Sequence, residues 1–93
     1  MNVEQAFAQI GDRLAKAQEE LRILDEQLFF QIDVLEEANT RMLVSETPIA
    51  EREYRIARDD HARLEQERAR VMESIAELKR EQDRLLDLLA SKA

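Results

Sequence analysis

Ser45-Glu46-Thr47-Pro48 falls almost at the midpoint of the 93 residues, and its reading decides the fold. Pro48 has no backbone N–H, and its ring would clash with the carbonyl four residues back. A helix running through it would lose about 3 kcal/mol or more. The same proline suits the first position of a helix, and Thr47 before it is a good N-cap. One helix is therefore predicted to stop here and another to start. The expected bounds are about 2–44 for the first helix, 45–47 for the turn and 48–90 for the second. Residues 1–93 would then form a single helical hairpin.

Working back from the break, apolar residues recur at helical spacing to Val3. With Phe7 as heptad position a, every a and d position from Val3 to Met42 is apolar except Gln31. A seven-residue repeat sustained this long is a coiled-coil signal. Gly11, at position e, should cost about 1 kcal/mol relative to Ala and marks a candidate site of fraying or bending. Forward from the break, the same alternation of three- and four-residue steps runs from Ala50 to Leu89, with His61, Arg68 and Gln82 as polar seam positions. Acid-to-base pairs four residues apart, such as Glu37–Arg41, Glu51–Arg55 and Asp59–Arg63, support helix by a few tenths of a kcal/mol each.

So short a connection makes the helices antiparallel. Matching a positions of one helix to d positions of the other leaves two registers, in which paired residue numbers sum to 92 or to 99. The first is preferred. It sets a small residue against a large one near the turn, Ala38 against Tyr54. It also places Gln31 opposite His61 and closes the turn in about three residues.

Composition agrees. There is one Gly and one Pro, aromatics are 4% and charged residues 38%, as in long helices and coiled coils. The net charge is −7, with ten acids against four bases before Thr47 and eleven against ten from there on. An acidic chain does not attract nucleic-acid phosphates or anionic membranes through its overall field. The six arginines from Arg52 to Arg70 are matched by six acids from Glu51 to Glu67, so a solvated, ion-paired helix face is expected there rather than a nucleic-acid reader. No cysteine is present, which leaves out disulfides and thiol chemistry. No apolar run is long enough for a membrane span, and residues 1–5 lack the basic start of a signal peptide. Cytoplasmic residence is the expectation.

One segment breaks the simple stripe. Leu28 and Leu35 are on the seam, but Phe29, Phe30, Ile32 and Val34 are not, and Ile23, Leu43 and Val44 extend this extra apolar surface. A helix apolar over most of its circumference is buried by more than one neighbour. Two hairpins sharing that surface would make a four-helix bundle, and symmetric self-association is preferred over a foreign partner as its first use. Phe29, Phe30, Ile32, Val34, Leu43 and Val44 are the candidate interface residues.

Chemistry is not expected. The only histidine, His61, is a seam residue with Glu65 one turn on; this pair could seed a metal site only if further ligands converged on it. Adjacent carboxylates such as Glu19–Glu20, Glu36–Glu37 and Asp59–Asp60 point about 100° apart on a helix and form no acid/base dyad. A di-iron bundle needs Glu-x-x-His, and Arg58 occupies the required position before His61. No Ser/His/Asp set with a Gly-rich elbow and no phosphate loop occurs.

The end of the hairpin offers Glu46, Glu51 and Glu53. In this one feature the chain resembles the transcript-cleavage factors that enter the secondary channel of RNA polymerase on an acidic-tipped helical hairpin. That resemblance implies regulation of a nucleic-acid machine by those three acids; the family's globular second domain is not among these 93 residues. Secreted hairpins with a Trp-x-Gly turn have the same length, but this chain has no Trp. The expectation is an all-α antiparallel coiled-coil hairpin that dimerises and binds a protein, with no enzyme activity and no cofactor. The acidic-tip regulator and a metal-binding bundle centred on His61 are the alternatives.

Overall fold

The computed structural model describes residues 2–91, so Met1, Lys92 and Ala93 of the expected span lie outside the described residues. The chain is an all-α helical hairpin of two helices, α1 (Val3–Ser45) and α2 (Pro48–Ser91), with no strand among the described residues. Each helix begins on a side-chain cap. At α1, Asn2 Oδ1 accepts the Gln5 N–H at 2.7 Å and Gln5 Oε1 accepts the Asn2 N–H at 3.3 Å. This reciprocal arrangement satisfies two of the amides that a helix start leaves without a helical partner. α1 then runs through Gly11 without a break.

Only Glu46 and Thr47 separate the helices. Glu46 has φ 51°, the left-handed conformation that commonly ends a helix, and its N–H bonds the Met42 carbonyl at 3.1 Å. Thr47 is the N-cap of α2: its Oγ1 accepts the Ala50 N–H at 3.2 Å, and its carbonyl accepts the first helical bond, from Glu51 N–H. Pro48 occupies the first helical position, where a missing N–H costs nothing.

The contacts divide into two compact units. One joins α1 up to Arg22 with α2 from Arg70 onward, and buries Ile10, Leu14, Val71 and Leu85. The other, Ile23–Ala69, contains the turn and buries Leu24, Leu28, Ala38, Ala50 and Ala57.

Within this turn unit three cross-helix contacts settle the register. Arg68 Nε donates to Asp25 Oδ1 at 2.5 Å, Gln31 Nε2 donates to the Ala57 carbonyl at 3.1 Å, and Arg41 Nε lies 3.5 Å from Glu53 Oε2. These pairs cluster about a sum of 92. Under a sum of 99 each pair would stand more than a full helical turn out of level. Ala38 then stands level with Tyr54, Ala50 with Met42 and Ala57 with Leu35. Each alanine is buried and each larger opposite is half-buried.

Candidate interaction surface

The six candidate residues lie on both flanks of the seam, as their helical spacing predicts. Phe29, Ile32 and Leu43 follow one another at helical spacing on one flank. Phe30, Val34 and Val44 do so on the other. The separation follows from the 100° step: Phe29 and Phe30 are neighbours in sequence but point to different sides. Their rings nonetheless touch edge to face across the outside of α1, 5.7 Å between centroids.

All six are exposed. Phe29 is 70%, Phe30 61%, Leu43 66% and Val44 78% accessible. The unit at the chain ends shows Met72, Leu86 and Leu88, none above 45%. Large exposed side chains are thus concentrated in the turn unit.

The Phe30 flank continues onto α2. Two shallow grooves of about 550 and 510 Å³ run along it. Val34 lines both, Phe30 lines one with Arg63, and Ile56 lines the other with Asp60. Phe29, Ile32 and Leu43 line neither. Ile49, 72% exposed, lies two turns before Ile56 on the same stripe of α2. Sequence reading missed Ile49 and Ile56 as members of this surface. The signal was present: they are seven apart, so they share a face, and each directly precedes a seam alanine. Only the pairing of the helices shows that this face adjoins Phe30 and Val34.

Charge on the Phe30 flank is organised around Arg41, whose Nη1 is 3.4 Å from Glu37 Oε1 while its Nε meets Glu53. Arg63 has Asp60 and Glu67, one turn to either side, at 3.7 Å. Gln31 and His61 stand level on the seam beneath the flank. His61 Nε2 is 3.4 Å from Glu65 Oε1, and its Nδ1 is buried with no hydrogen-bond partner.

The tip acids do not converge. Glu46 is the left-handed residue of the turn, Glu51 is in the first turn of α2 facing the Phe29 side, and Glu53 is drawn across the seam to Arg41. Among the described residues no group of three His, Cys, Asp or Glu could hold a metal ion, and His61 has Glu65 alone. No described helix is long and apolar enough to cross a membrane. The geometry is that of an apolar surface with a charged rim on either side of a thin seam. No protein-family model, curated protein or solved structure matches the chain.

Proposed function

We propose that this chain is a non-enzymatic coiled-coil interaction module, an adaptor or scaffold that acts in the cytoplasm as a homodimer. The observation that carries the reading is the concentration of exposed Phe, Ile, Leu and Val between Ile23 and Ile56, on both flanks of one seam. Monomeric soluble proteins seldom leave contiguous apolar patches larger than a few hundred Å² open to water, and larger ones mark interaction sites. Two separate flanks give two tasks. One flank joins copies of the chain and the other receives a different protein.

Sedimentation equilibrium at micromolar concentration tests the first task. The expected species has twice the chain mass of 10.9 kDa, and a monomer would defeat the homodimer. Crosslinking in native cells, comparing wild type with a Phe29→Asp/Ile32→Asp variant, tests the second. The variant should stay dimeric and lose one defined crosslinked protein. Identical crosslink patterns would remove that flank from the proposal.

A further inference from the structure

We infer that the Phe30 flank is the surface on which a second copy docks, with both turns at the same end and α1 of each copy lying on α2 of the other. This rests on the homodimer proposed above and assigns its interface and orientation.

Size comes first. Phe30, Val34, Val44, Ile49 and Ile56 are between 49% and 78% exposed. With an aromatic side chain at roughly 150–250 Å² and aliphatic ones somewhat smaller, they hold on the order of 500 Å² of accessible apolar surface. Adding the charged rim brings this close to the ~800 Å² per partner of a standard stable interface. The Phe29 flank has only Phe29, Ile32 and Leu43, all from one helix.

Orientation follows from what stands level with what. In the register of the turn unit, residues of α1 and α2 whose numbers sum to about 92 share a level. A twofold axis parallel to the helices keeps levels and exchanges helices. Val34 then meets Ile56 of the second copy, and Val44 meets Ile49. Phe30 meets Arg63, whose guanidinium can lie on the ring face. Each contact occurs twice. Glu37 and Glu53 keep Arg41 between them, as they have within one chain.

The competing arrangement has the axis across the helices and the turns at opposite ends. Centred on Phe30–Val34, it sets α2 against α2. Asp60 then faces Asp60 of the second copy, and Glu67 faces Glu53. Like charges set against each other suppress an arrangement, and complementary ones fix it. The level-preserving dimer also leaves the Phe29 flanks on its two outer sides, so the module would hold two partner molecules.

Single-cysteine variants test this directly, because the chain has no cysteine of its own. A disulfide needs Cα atoms within about 4–7 Å. Under mild oxidation, a mixture of Val34→Cys and Ile56→Cys chains should give a crosslinked heterodimer. Asp60→Cys alone, which faces its own copy only in the competing arrangement, should crosslink at least tenfold less. Efficient crosslinking of Asp60→Cys alone would overturn the orientation while leaving the homodimer standing. A monomer by sedimentation would overturn both.

Charge rescue is the second test. Val34→Lys and Ile56→Asp chains should each dimerise at least tenfold more weakly than wild type, with helicity unchanged by circular dichroism. Mixing them should restore a heterodimer through one Lys–Asp contact and one native Val–Ile contact. A mixture no tighter than either variant alone would remove position 56 from opposite position 34.

Discussion

Replacing His61 with Leu should stabilise the protein. His61 is a seam residue of the turn unit, level with Gln31, and its side chain is three-quarters buried. Nε2 is turned to Glu65, and the buried Nδ1 meets no hydrogen-bond partner. A buried polar atom without a partner costs about 1–3 kcal/mol relative to one that is satisfied. Leucine at the same place removes that cost and keeps most of the ring's apolar contact. The loss on the other side is small. Glu65 is more than half exposed, and a pair of that kind contributes under about 1 kcal/mol. Gln31 is unaffected, because its amide donates to the Ala57 carbonyl. The net gain is about 1–2 kcal/mol, or roughly 4–16 °C in Tm for a chain of this size. Thermal unfolding followed by circular dichroism at matched protein concentration checks it, since Tm of an associating protein depends on concentration. An unchanged or lowered Tm with full helicity would refute the reasoning.

Three further outcomes follow from the same structure. Gly11→Ala should raise stability by about 1 kcal/mol, because an added Cβ meets nothing within 4 Å and helical Gly is disfavoured by that amount; denaturant titration reads it. Thr47→Ala should lower stability by about 1 kcal/mol through loss of the cap on the Ala50 N–H, while Thr47→Ser should be close to neutral in the same titration. The Glu81 and Glu19 carboxyls, held by hydrogen bonds from Arg84 and Arg22, should titrate below the ordinary glutamate value. Their depressed values mean that what they add to stability is present above that value and is lost as pH falls through the depressed one. Carboxyl-carbon NMR should show Glu81 moving back up in Arg84→Ala.

The turn and the helices were legible because each rests on local chemistry. Pro48 cannot continue a helix, Thr47 can start one, and the heptads on either side need no tertiary knowledge to be seen. The register was legible only in part: heptad matching left two, and setting small against large near the turn favoured the one whose paired numbers sum to 92. What escaped was which surface residues of one helix lie beside which residues of the other. Helical spacing alone sorts Phe29 through Val34 onto both flanks of the seam, but does not show which residues of α2 adjoin each flank. Ile49 and Ile56 read as unremarkable neighbours of seam alanines until α1 brings Phe30 and Val34 alongside. Glu51 and Glu53 look like a tip cluster in sequence. On the helix they face opposite flanks, and Arg41 holds one of them. The left-handed Glu46 was hidden for another reason: Gly or Asn is the usual signal for that conformation, and neither is there.

The distribution of side-chain size in the turn unit bears on why the chain would need a partner at all. Of its five buried apolar residues, three are alanines. A buried methylene contributes about 0.8 kcal/mol and a buried Leu or Phe about 1.5–3 kcal/mol. The seam near the turn therefore gains little from its own closure, while ordering each backbone residue costs about 1–2 kcal/mol. The large residues that could offset this cost, Phe30, Val34, Val44, Ile49 and Ile56, are on the outside. Three alanines on the seam and five large apolar residues outside it are a poor arrangement for a hairpin stable alone. Small residues on the seam allow the helices to come close, and this draws the two halves of the Phe30 flank into one surface. On this reasoning the alanines and the exposed isoleucines belong to one design: the hairpin builds a surface, and the docking proposed for that surface would supply the stability that the seam lacks.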